Sequence, residues 1–109
     1  MAQDSAFIGT EVKYLVEIQA DGFDMARDDF NITLKLGSKS KTFEKSDLVD
    51  DIEMVDGQQK HTFYLVFDSA EFGAGTLVAI IRAYVPDTDY PDNIRTEVDR
   101  FDLMVIKKV

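Results

Sequence analysis

Phe67-Asp68-Ser69-Ala70-Glu71-Phe72-Gly73-Ala74-Gly75-Thr76-Leu77-Val78-Ala79 is the stretch whose reading decides the fold. An alternating strand ends at an Asp, a short polar corner follows, and Gly-Ala-Gly hands over to a long run rich in β-branched residues. Glycine admits backbone angles closed to other residues, and β-branched side chains suit a pleated surface. A chain crosses in this way from one sheet of a β-sandwich to the other.

Outward from the corner the hydrophobic period is two. Phe63, Leu65 and Phe67 share one face of a strand over 61–67. Asp56-Gly57 before it is a hairpin signal, and 48–55 reads as a strand or a bent connector. Phe30, Ile32, Leu34 and Leu36 alternate with Asn31, Thr33 and Lys35 in the cleanest pattern of the chain. One face of it must be core. Gly37-Ser38 stops it, and a weak strand over 40–44 follows.

Val12, Tyr14, Val16 and Ile18 alternate with Lys13, Glu17 and Gln19, interrupted by Leu15 and ended by Asp21-Gly22. Downstream, 76–85 is apolar on both faces, which predicts a central strand covered on each side. A last strand over 100–109 turns Phe101, Leu103 and Val105 inward. Helix is confined to single turns over 24–29 and 69–72. The pattern predicts an all-β chain: one domain over 1–109, an antiparallel immunoglobulin-like β-sandwich of about seven strands with Greek-key connections. A small Greek-key or OB-like barrel is the alternative, because periodicity does not count sheets.

Composition narrows the function classes. The chain has 109 residues, 45% of them hydrophobic, enough for a core without staples. Its net charge of −9 favours solubility and repels nucleic acid. Cysteine is absent, so disulfides, thiolate metal sites and thiol nucleophiles are excluded. The N-terminus lacks the basic and apolar regions of a signal peptide, and no stretch approaches the ~20 apolar residues that span a bilayer. The expectation is a protein cytoplasmic as synthesised, with a trimmed secreted form as the alternative.

The most unusual segment is Val85-Pro86-Asp87-Thr88-Asp89-Tyr90-Pro91-Asp92-Asn93-Ile94-Arg95-Thr96-Glu97. Asp87, Asp89 and Asp92 converge there, and calcium favours oxygen-rich loops. However, Pro91 stands where an EF-type loop needs a ligand, and that loop's glycine and closing Glu are missing. The reading is a rigid turn without metal or cofactor, presenting a contact surface of Tyr84, Asp87, Asp89, Tyr90, Asp92, Ile94 and Arg95. Tyr84 offers a flat face at its base and Tyr90 one at its tip.

Other candidates read as structural. Asp28 and Asp29 are expected to be solvated turn residues beside Arg27, with Phe23 and Met25 as satellite core. His61, the only histidine, reads as a surface residue on a hairpin with no nucleophile beside it. Asp68-Ser69-Ala70 differs from the Asp-Ser/Thr-Gly turn of small dimeric aspartic proteases: Ala70 adds a Cβ and Glu71 a like charge where a shared-proton dyad needs neither. The chain is read as a non-enzyme.

Three segments carry a resemblance. Phe7-Ile8-Gly9-Thr10, then Ala20-Asp21-Gly22-Phe23-Asp24-Met25, then Asp29-Phe30-Asn31-Ile32-Thr33-Leu34 resemble the N-terminal β-sandwich modules of phage baseplate and tail structural proteins. The 83–98 segment is similar to one in uncharacterised prophage proteins of gut Bacteroidetes. The likeness lies in order and spacing and transfers no site residue. It implies a structural module assembling with a protein partner or with itself through sheet edges and the 86–95 loop. In that reading acidic loops meet Arg82, Arg95 or Arg100, while Glu11 and Lys107-Lys108 guard the strand ends. The rival is a carbohydrate-binding or other ligand-binding sandwich, which needs Tyr64, Tyr84 and Tyr90 on one concave face.

Overall fold

The computed structural model describes residues 4–109; the first three residues of the N-terminal stretch lie outside the described residues. Eight strands follow in order: β1 (Asp4–Phe7), β2 (Glu11–Val16), β3 (Phe30–Leu36), β4 (Lys39–Glu44), β5 (Val49–Val55), β6 (Gln58–Asp68), β7 (Gly75–Pro86) and β8 (Ile94–Lys107). They form a five-stranded sheet, β1-β8-β7-β3-β4, and a three-stranded sheet, β2-β6-β5. No ladder joins the two sheets among the described residues, so hydrogen bonding does not close into a barrel.

Period-two alternation builds one shared core. Phe30, Ile32 and Leu34 of β3 and Leu77, Ala79 and Ile81 of β7 meet Val16, Phe63, Leu65 and Phe67 of the smaller sheet. Phe30 and Phe63 pack edge to face across the layers, ring centres 5.6 Å apart. Each such large side chain taken out of water contributes about 1.5–3 kcal/mol.

The corner at 67–75 carries the chain from β6 in the smaller sheet to β7 in the larger. Asp68 Oδ1 accepts from the Ala70 N–H at 2.9 Å and caps a 3-10 turn, Ser69–Glu71. Ser69 is fully buried, and its N–H donates to the Thr10 carbonyl at 3.0 Å. Gly75 sits at φ +140°, and a Cβ there would lie 3.2 Å from Leu36.

Four expectations need correction. The sheet pairing is not wholly antiparallel, because β1 runs parallel to β8, Asp4 opposite Met104; this short polar strand is the eighth. β7 is central but buried on one face only, with Val78, Ile80, Arg82 and Tyr84 half-buried on a face that no other layer of the described residues covers. The last strand begins at Ile94, not at 100. Its inward parity also flips: Asp102 pairs with Val78 and Met104 with Leu77, leaving Leu103 as the extra residue of a bulge. Leu103, Met104 and Ile106 are therefore the buried ones, while Val105 is half-buried. No helix among the described residues is long and apolar enough to cross a membrane.

Candidate functional site

The 86–95 loop is a braced connection between β7 and β8. The Asp87 N–H donates to the Asn93 carbonyl at 2.9 Å, and the Asn93 N–H to the Tyr90 carbonyl at 2.9 Å. Asn93 takes φ +58°, a left-handed conformation that Asn tolerates better than most residues. Asp87 Oδ1 accepts from the Asp89 N–H at 3.0 Å, while Oδ2 accepts from Arg95 Nη1 at 2.8 Å. Both carboxylate oxygens are thus engaged by the loop itself. The described residues hold no cluster of three or more metal-ligating side chains.

Arg95 is a strut and not a free contact. Its Nη2 donates to the Asp21 carbonyl at 3.2 Å and to Glu97 Oε2 at 3.4 Å, tying this loop to the 21–29 segment. Its pKa is raised: partial burial pulls it down, but hydrogen bonds to Asp87 and Glu97 outweigh that. What the loop offers outward is Tyr90 and Ile94, each about half exposed, beside the exposed carboxylates of Asp89 and Asp92. Tyr84 lies away from them, on the outer face of the larger sheet, where its hydroxyl accepts from Asn31 Nδ2 at 3.1 Å.

The second acidic segment also corrects the sequence reading. Asp28 is buried, not solvated. Its carboxylate accepts from Arg27 Nε at 2.8 Å, Arg27 Nη2 at 2.9 Å and the Asp24 N–H at 2.9 Å. The Arg27 hydrogen bond is the main reason its pKa falls below the ordinary carboxylate range, against the effect of burial. Lys45 Nζ donates to the Asp28 and Ala26 carbonyls and lies over the Phe30 and Phe63 rings. Phe23 and Met25 pack on the core beneath, as expected.

His61 is half-buried, stacked on Phe63, and its Nδ1 lies 2.9 Å from Asp50 Oδ2 across the β5–β6 pair. No hydroxyl bonds to the ring among the described residues. Tyr64 sits on the outer face of the smaller sheet under Lys13, whose Nζ is 4.4 Å from the ring centre. Tyr64 and Tyr84 therefore lie on opposite outer faces, since their strand neighbours Leu65 and Val85 point into the core.

Two features escaped the sequence reading. The first is the β5–β6 ribbon. Every residue of β5 is exposed, including Ile52 at 49% and Met54 at 68%, and among the described residues β5 pairs with β6 alone. The second is a groove of about 460 Å³ between β2 with its continuation over 17–20 and the 97–103 part of β8. Its signal was hidden because the inward positions of β8 opposite Ala83 and Ile81 are Glu97 and Asp99, which break the apolar alternation. Compared with known proteins, the chain matches no family model, no curated protein and no solved structure.

Proposed function

We propose that the chain is a non-enzymatic structural module, an immunoglobulin-like β-sandwich that works by protein–protein assembly in a phage or prophage particle. The observation that carries this reading is the β5–β6 ribbon. Ile52, Met54 and Val55 stand in water on a strand whose outer edge has no partner among the described residues. An isolated two-stranded ribbon is marginal in water, and a free apolar edge is a template for strand pairing. Covering such a patch with a second protein removes apolar surface from water.

Tyr90 and Ile94, held out by the Arg95 strut, supply a second apolar contact in the 86–95 loop. The placement of Tyr64 and Tyr84 on opposite faces favours assembly over stacking on a glycan, which needs aromatic rings on one face. The particle context rests on the order and spacing of strands that resemble tail and baseplate modules.

Photo-crosslinking tests the reading. A photoreactive residue at position 54 is expected to capture one discrete protein species in cells making the chain, and one at position 39 on β4 is not. Light scattering then tells whether the captured species is a second copy. Capture at 54 no stronger than at 39 would remove the assembly reading.

A further inference from the structure

We propose that the sandwich stacks front to back, the outer face of the larger sheet of one copy lying on the outer face of the smaller sheet of the next. The proposal rests on the assembly reading and names the partner as a second copy of this chain.

Neither outer face is covered by another layer of the described residues, and each carries large apolar side chains. Register places them. On the larger sheet Ile80 has Thr33 on one side and Arg100 on the other, while Arg82 lies between Asn31 and Val98. Val98 is exposed, and Val78, Ile80 and Tyr84 are half-buried. On the smaller sheet one row crosses all three strands, Leu15–Tyr64–Val49, with Val66 next along β6 opposite Lys13. Leu15, Val49 and Val66 are each about half exposed. Single apolar residues on a surface are ordinary, whereas a row continuous across strands marks a contact.

Charge makes the two faces complementary. Of the four arginines, Arg27 and Arg95 are locked to Asp28 and Asp87. Arg82 and Arg100 are diagonal neighbours on the larger sheet, and neither forms an ion pair among the described residues, although the chain has 21 acidic residues. Arg82 reaches only the Thr33 hydroxyl, at 3.4 Å. Lys35, opposite Val78, adds a third positive charge. The carboxylates of that face are engaged already: Glu44 accepts from the Asp47 N–H, and Asp102 has a partner of its own.

The smaller sheet answers with carboxylates. Asp51 and Glu53 stand opposite Thr62 and Lys60, on the same outer face as Tyr64, along a wholly exposed strand. Neither forms an ion pair among the described residues. Two residues along one strand span about 6.6 Å, and diagonal positions on paired strands lie about 7–8 Å apart. Asp51 and Glu53 therefore match the spacing of Arg82 and Arg100, and guanidinium forks fit carboxylates two bonds at a time.

Symmetry follows from the charge. A face laid on its own copy brings like charge to like charge, which is unfavourable. Front-to-back contact is heterologous, so it propagates into a ring or a filament. The smaller sheet is only three strands wide, about 14 Å, so each contact is weak and sensitive to salt.

Sedimentation and amide NMR of the full chain test this between about 20 μM and about 1 mM, where weak contacts show. Mass is expected to rise with concentration at about 0.01 M salt and to fall back at about 1 M, where the screening length is about 3 Å. Amide peaks that move with concentration should form two groups, Ile80, Arg82 and Val98 on one sheet and Leu15, Asp51 and Tyr64 on the other. Arg82→Glu with Arg100→Glu, and Asp51→Lys with Glu53→Lys, should each weaken association by about tenfold or more. All four together should restore it, at the wild-type net charge, because two reversals of each sign cancel. The Asp51→Lys, Glu53→Lys chain is less negative than wild type, so loss of assembly there does not come from self-repulsion. Should a variant unfold, the wild-type peak map alone decides. A monomer throughout, peak movement on one face only, movement confined to Ile52 and Met54, or a folded four-site variant that stays monomeric would overturn the proposal. So would capture of a different protein, and not a second copy, by a photoreactive residue at position 98. If front-to-back contact fails while crosslinking at 54 persists, only the second-copy assignment falls; loss of both removes the module reading.

Discussion

Two hairpins of this molecule share a pairing pattern and meet water in opposite ways. β7–β8 has a long loop clamped by Asp87 and Arg95, and β7 is flanked on its other side by β3. β5–β6 turns tightly through Asp56 at φ +51° and Gly57 at φ +77°, and β5 has no further neighbour among the described residues. Ile81 of β7 is 9% exposed and Ile52 of β5 is 49% exposed, though both are isoleucines in mid-strand. Turn chemistry sets a hairpin. Its neighbours decide whether the side chains become core or contact surface.

That contrast is open to test by mutation. The largest effect belongs to β7: Leu77, fully buried, should cost about 2–5 kcal/mol when changed to Ala, read from urea unfolding. A loss below about 1 kcal/mol would mean that β7 is not the packed member of the comparison.

Next comes the buried brace beside the β7–β8 end. Asp28→Asn should destabilise by about 1–3 kcal/mol at pH 7, since Arg27 and the Asp24 N–H lose a charged acceptor. Because the folded pKa lies below the ordinary 3.8, the stabilisation is complete above that value and lost as pH falls through the folded pKa. The gap between wild type and Asn variant should therefore close as the solution is acidified below pH 3.8. A gap constant down to the acid transition would show that the charge contributes nothing.

Arg95→Ala should act locally. Amide exchange at Tyr90 and Asn93 should quicken severalfold while the unfolding midpoint of the rest hardly moves. Exchange unchanged at both amides would show that the loop is held by its backbone alone. The smallest effect is expected in the ribbon, where Met54→Ser should change stability by no more than about 0.5 kcal/mol. A larger loss in the isolated chain would show that β5 is packed in solution, and would erase the difference between the hairpins.

Much of the fold was legible, and the reason is local in each case. Phe30 to Leu36 alternate because one face of β3 is buried and the other is not. Asp56-Gly57 makes a tight turn because Gly tolerates the left-handed region and Asp is among the residues that visit it. The corner at 67–75 was readable because Asp68 caps the turn that follows it. The candidate site was legible in part. Tyr90 and Ile94 are exposed as read, but Arg95 and Asp87 neutralise each other, and no sequence rule says that a surface Arg will find an Asp eight residues earlier.

The sequence by itself determined where most of the strands and the tight turns fall and that the chain is all-β, because period and turn geometry depend on neighbouring residues. Tertiary structure alone decided the rest. It paired the polar 4–7 segment in parallel with β8, extended β8 back to Ile94 through charged inward positions, and flipped its parity at Leu103. Among the described residues it also left β5 with no neighbour beyond β6, and β2 apart from β8, opening the groove. Which edge lacks a partner depends on residues far apart in the chain, and hydrophobic period carries no record of them.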